Sequence, residues 1–97
     1  MTGLRVRPEA ELDVFEAALW YEQERDGLGA IFLRALRQVL GRIEASPRQF
    51  PLVAKDVRRA ILPRFPFGVF FHVDAGAVVV IAVMHLHRHP SSWAERR

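Results

Sequence analysis

Residues 67–85 read FGVFFHVDAGAVVVIAVMH, and the parsing of this stretch decides the fold. Phe67 to Val73 is dense in aromatic and β-branched side chains, which suit a pleated, half-buried surface. Asp74-Ala75-Gly76 is a turn signal. Ala77 to about His85 then runs apolar at nearly every position, so a strand there has both faces covered and is expected to be central in its sheet. Together the two runs predict an antiparallel hairpin.

Upstream, Val57-Arg58-Arg59-Ala60-Ile61-Leu62 is a further strand, closed by Pro63-Arg64-Phe65-Pro66. Three strands with short connections make a meander. Before them the apolar period is helical. Phe32, Leu36, Val39, Leu40 and Ile43 keep the spacing of one buried stripe, with Arg34, Arg37 and Arg42 off it, and Ser46-Pro47 stops the helix. An earlier helix starts at Pro8 with Glu9, Glu11 and Asp13 at the positive end of its dipole. Its face is Ala10, Val14, Ala17, Ala18 and Tyr21, which Phe15 and Leu19 are expected to widen. Trp20-Tyr21 is expected in the core, the tyrosine hydroxyl at its rim. Asp26-Gly27-Leu28-Gly29 makes a short connection, so the helices pack antiparallel. Leu4-Arg5-Val6-Arg7 alternates like a short strand. The fold class that follows is α+β: a short N-terminal strand, an antiparallel helix hairpin packed on an antiparallel β-sheet, and a three-stranded C-terminal meander, all in one domain over residues 1–97.

The composition limits the chemistry. There is no cysteine, which excludes disulfides, zinc thiolates and a thiol nucleophile. The start MTGLRVRPEAELD carries charge where a signal peptide is apolar. The most apolar run, AVVVIAVM at 77–84, is far short of the ~20 residues of a membrane span. A cytoplasmic protein with no membrane association is expected. Residues 1–26 hold seven acids and three bases, whereas residues 27–97 hold eleven bases and four acids. The +3 total therefore divides into a segment of −4 and one of +7. Of the fourteen bases only Lys55 is lysine, and arginine's planar fork suits bidentate contacts to carboxylate or phosphate. A positive body of this kind fits nucleic acid or an acidic peptide.

The densest cluster of polar chemistry is MHLHRHPSSW at 84–93. On a straight strand His85, His87 and His89 share a side, but His85 and His89 stand about 13 Å apart, too far to bind one ion. No metal or cofactor is therefore expected. Metal-free phosphodiester cleavage needs a general base, a general acid and cations on the phosphorane. His85 or His87 with Arg88, and Arg58 or Arg59 from a neighbouring strand, offer such a set. The same residues also read as polar groups where a buried strand emerges into solvent. Arg58 and Arg59 are adjacent, so at most one faces a given site. Trp93 reads as a packing residue or as a stacking platform beside arginines. Arg96-Arg97 is expected to fray.

Taken in order, several pieces resemble the RelE/ParE superfamily of type II toxin–antitoxin toxins, closest to its ParE-like branch. They are Trp20-Tyr21-Glu22, Gly27-Leu28-Gly29 with Phe32, Ser46-Pro47…Phe50-Pro51, Val57-Arg58-Arg59…Phe65-Pro66-Phe67 and His85…Arg88-His89-Pro90…Trp93. The resemblance implies the same α+β fold and a cognate antitoxin, partly acidic and with its own DNA-binding domain, wrapped over the toxin. It also implies a target- or antitoxin-binding surface drawn from Arg58, Arg59, Arg64, Arg88 and Trp93. ParE-like members are similar to proteins that poison DNA gyrase. RelE-like members cut mRNA on the ribosome, and here that would use His85, His87, Arg59 and Arg88 in a metal-independent endoribonuclease. Against the nuclease, Gly68 stands where RelE-like toxins have an arginine, Lys55 replaces no lysine pair, and no tyrosine follows Arg88. A third reading is a non-toxic protein stable mainly in its antitoxin complex.

Overall fold

The computed structural model describes residues 3–97. Strand β1 (Leu4–Val6) leads into helix α1 (Pro8–Glu24) and helix α2 (Leu28–Ala45). A 3-10 turn at Pro47–Gln49 precedes β2 (Leu52–Ala54), β3 (Val57–Ile61), β4 (Phe67–Asp74), β5 (Ala77–His85) and a four-residue helix α3 (Ser91–Ala94). The sheet order is β1-β5-β4-β3-β2. The α+β architecture and the meander match the sequence reading, with three differences. Strand β1 joins β5 in parallel, Leu4 opposite Val78 and Val6 opposite Val80. Strand β2 extends the meander by an edge strand. And β5, although covered on both faces, is second in the sheet; the middle strand is β4.

Each element has a local cause. Pro8 at the first helical position fixes the entry to α1. Between the helices Gly27 adopts a left-handed conformation, φ 86°. The Glu22 carboxylate accepts the backbone N–H groups of Gly27 (2.9 Å) and Gly29 (3.0 Å), which caps α2 from the preceding helix. A Cβ at Gly29 would stand 2.7 Å from the Ala18 carbonyl oxygen, so glycine is what lets the helices meet there. The β4–β5 hairpin closes on Ala75 and Gly76, both at positive φ (53° and 81°), the geometry of a two-residue primed turn.

The sheet separates two apolar layers. On the helix side, Phe32, Leu36, Val39 and Ile43 of α2 meet Val69, Phe71, Val78 and Val80. Tyr21, Phe32, Phe65 and Phe67 form an aromatic knot there, with ring centroids 4.9–5.9 Å apart. On the other face Val57, Phe70, Val79, Ile81 and Met84 pack beneath α3 through Trp93. The sequence reading of α1 needs correction: Ala10 and Ala17 are buried and Val14, Ala18 and Tyr21 half-buried, but Phe15, Leu19 and Trp20 are exposed. Arg96 and Arg97, expected to fray, are each placed in an ion pair (Arg96 to Asp13, Arg97 to Asp56).

Candidate functional site

Strand pairing sorts the candidate residues by face. Cross-strand partners in an antiparallel pair point to the same side, and successive residues alternate. Arg59 is opposite Phe70, on the face away from the helices, whereas Arg58 is opposite Phe71, on the helix face. His85 is opposite Phe67, also on the helix face. Arg59 and His85 therefore lie on opposite faces of the sheet.

His85 is half-buried, with its ring centroid 5.6 Å from that of Phe67. Beyond it the strand stops. The Arg88 N–H donates to the His85 carbonyl (3.0 Å), and the His87 N–H donates to His85 Nδ1 (3.1 Å). That bond leaves the proton of a neutral imidazole on Nε2. The turn brings the His85 and His87 rings to 4.9 Å. His85 and Arg88 line one side of a cavity of about 200 Å³, with Asp13 and Glu16 of α1 on the other. His89 is engaged elsewhere: its Nδ1 meets both the backbone N–H (3.1 Å) and the hydroxyl (3.0 Å) of Ser91, tying the start of α3. The alternating histidines thus diverge as soon as the strand ends. Among the described residues no group of three or more His, Cys, Asp or Glu could hold a metal ion.

On the opposite face the stem of Arg59 crosses Gly68. A Cβ at Gly68 would lie 3.1 Å from both Arg59 Cγ and Cδ and 3.2 Å from Leu86 Cδ2. The missing side chain is therefore what gives the arginine its track. Arg59 Nε is buried without a hydrogen-bond partner in the protein. Trp93 is buried and stacks on Phe70, centroids 4.5 Å apart and planes at 16°. It packs the second layer and offers little surface to a partner. Arg58 donates to the carbonyls of Phe50 (2.6 Å) and Arg48 (3.3 Å), which fixes the 3-10 turn. Arg64 is exposed, in a left-handed turn at φ 68° before β4.

Other working residues carried no local signal. Asp13 accepts two hydrogen bonds from Arg96 (2.6 and 3.2 Å) and one from the Val83 N–H (3.0 Å). Arg97 grips Asp56 in a fork, and this bond holds the Asp56 carboxyl below the usual carboxylate range. His72 is buried on the Arg59 face, and neither ring nitrogen has a partner in the protein. Burial pushes its pKa down, with nearby Arg97 adding to the effect.

The family model described as "ParE toxin of type II toxin-antitoxin system, parDE" matches residues 4–90. The chain belongs to this ParE toxin family. The match runs from the first residue of β1 to Pro90 and leaves out residues 1–3 and, at the other end, α3 and the residues after it. Among solved structures, this ParE-type toxin is similar to a chain of the chromosomal ParDE toxin–antitoxin system of P. aeruginosa. The TM-score is 0.68 at 19% identity, over 88% of this chain and 96% of that one. It is also similar to a chain of the RelBE2 toxin–antitoxin complex of Mycobacterium tuberculosis, TM-score 0.59 at 16% identity, over 87% and 90%. At such identities the likeness is one of fold. No curated protein matches the sequence. No helix among the described residues is long and apolar enough to cross a membrane.

The residues that carry the resemblance have physical roles in this structure. In Trp20-Tyr21-Glu22 the tyrosine joins the aromatic knot and the glutamate caps α2. Glycine at 29 permits the helix crossing. In the last motif Trp93 packs and Arg88 is left free at the rim.

Proposed function

We propose that this ParE-type toxin inhibits growth by binding, with DNA gyrase as its target, and that a cognate antitoxin neutralises it in the cytoplasm. The observation that carries the reading is the separation of Arg59 from His85 by the sheet. A metal-free nuclease needs its acid, base and phosphate clamp around one phosphorus atom. Groups on two faces of a sheet suit two contact surfaces better. Gly68 supports the same reading, since it places no charge beside Arg59. The antitoxin is expected to be acidic where it meets the +7 body, with Arg59, Arg64 and Arg88 as contacts, Arg58 bracing the 3-10 turn and Trp93 supporting the Phe70 face from within. Its DNA-binding domain lies beyond this contact.

One observation favours the second reading. His85, His87 and Arg88 do meet at one rim, and a ribosome could complete a site that the free chain leaves open. Expression of the chain from a tightly controlled promoter separates the cases. Filamentation and DNA damage signalling with intact mRNA are expected. An early stop in translation with cuts in the ribosomal A site would establish the nuclease. Normal growth with folded chain present would leave a non-toxic antitoxin ligand.

A further inference from the structure

Helix α1 is apolar on two opposite sides. The first, Ala10 with Ala17, Val14 and Tyr21, packs into the core. The second is Leu12, Phe15 and Leu19, which are 56%, 64% and 47% exposed, with Trp20 beside them at 56%. At about 100° per residue these first three fall within roughly 60° of one another, so they form one stripe facing solvent. A helix that is apolar on both sides is normally covered on both. Acids flank the stripe: apart from Asp13, which Arg96 holds, and Glu22, which caps α2, residues 8–24 contain Glu9, Glu11, Glu16 and Glu24 and no base.

The complement lies next to it. Helix α2 runs antiparallel to α1, and its outward face presents Arg34 and Arg37 between the small residues Ala30 and Gly41, all exposed. No α2 arginine is paired with an α1 glutamate: among the described residues the ion pairs are Arg96–Asp13 and Arg97–Asp56. The helical layer therefore shows one acidic, apolar ridge and one basic, shallow ridge, side by side and electrostatically unspent.

We propose that this face is the contact between two copies of the chain, related by a two-fold axis parallel to the helices. That operation lays α1 of each copy on α2 of the other, antiparallel. Leu12, Phe15 and Leu19 are then covered by the partner's shallow α2 face and the aliphatic stems of its arginines, while the charged ends meet acids. The other two-fold in the same plane, perpendicular to the helices, would set α1 on α1 and bring like charges together, which specificity by charge disfavours. A face about 26 Å long for 17 residues and roughly 20 Å wide for two helices spans about 520 Å² on each copy, about 1,000 Å² in all, the lower end of what a specific interface needs. The Arg59 face of the sheet stays open in this dimer, and the inference does not depend on the gyrase reading.

Light scattering on the purified 97-residue chain, made cell-free, tests it. The expected mass is twice 11.1 kDa at micromolar concentrations, with dissociation promoted by salt. Phe15→Glu, and separately Arg34→Glu with Arg37→Glu, should each weaken the dimer at least tenfold while leaving the circular dichroism spectrum unchanged. Mixing a Glu9→Arg, Glu16→Arg copy with the Arg34→Glu, Arg37→Glu copy should restore pairing between the two. A monomer throughout the range, a dimer indifferent to both single-sided changes, or assembly only with a different protein on this face would overturn the proposal.

Discussion

Arg96 and Asp13, separated by most of the chain, are joined by two hydrogen bonds of 2.6 and 3.2 Å. Arg96 also donates to the Ile81 carbonyl, and Asp13 accepts the Val83 N–H. The pair thereby seals the part of β5 that β1 does not cover, since β1 pairs only with Val78–Val80. Asp13→Ala removes the charge partner and leaves a backbone donor unmet, at a cost of about 3 kcal/mol. A fall in Tm of roughly 15 °C is expected in a thermal melt. A fall under about 5 °C would reduce the pair to an ordinary surface contact.

The β4–β5 turn offers a gain instead. Ala75 holds φ 53°, a conformation that costs an alanine about 1 kcal/mol and that asparagine tolerates. Ala75→Asn would create the Asn-Gly pair that primed turns favour. Denaturant unfolding should show stability raised by about 0.5–1 kcal/mol with an unchanged slope. Any loss would mean that the turn is held by something other than backbone preference.

Gly68 and Arg59 should behave as one unit. Gly68→Ala forces the Arg59 stem and Leu86 aside by a few tenths of an ångström, for about 1 kcal/mol of overpacking. In an Arg59→Ala background most of that cost should vanish. A double-mutant cycle measures the coupling directly, and additive losses would show that the arginine does not lie where it is described.

His72 sets a pH dependence. Its folded-state pKa is lowered, chiefly by burial, so the folded chain keeps the ring neutral where the unfolded chain takes up a proton. Stability is then full above the unfolded value of about 6.5 and declines as pH falls from there toward the lowered folded value. Melts between pH 7.5 and pH 5, about one unit above and about one and a half below that value, should show a decline in Tm that His72→Leu largely removes. An equal decline in the variant would assign the effect to other groups.

Periodicity carried the fold because long apolar runs leave few choices: α2's stripe and the all-apolar β5 each exclude the alternatives. Strand β2 escaped notice because it is three residues long, follows Pro51, and pairs at only two positions, Leu52 with Arg58 and Ala54 with Val57. Phe15 and Leu19 misled because hydrophobicity alone does not say which side of an amphipathic helix meets its own core. The candidate site was half legible. Strand alternation separates Arg58 from Arg59, and the spacing of His85 and Arg88 places both near a strand end. The pairing of Asp13 with Arg96 and of Asp56 with Arg97 spans 83 and 41 residues, so no local pattern announces it.

Binding to gyrase, the target proposed for this toxin, requires no histidine chemistry. Gyrase-catalysed supercoiling of relaxed plasmid, titrated with the chain and with its His85→Ala, His87→Ala double variant, tests it most directly. Both are expected to inhibit supercoiling at similar concentrations. Supercoiling left untouched by the folded wild-type chain would contradict it.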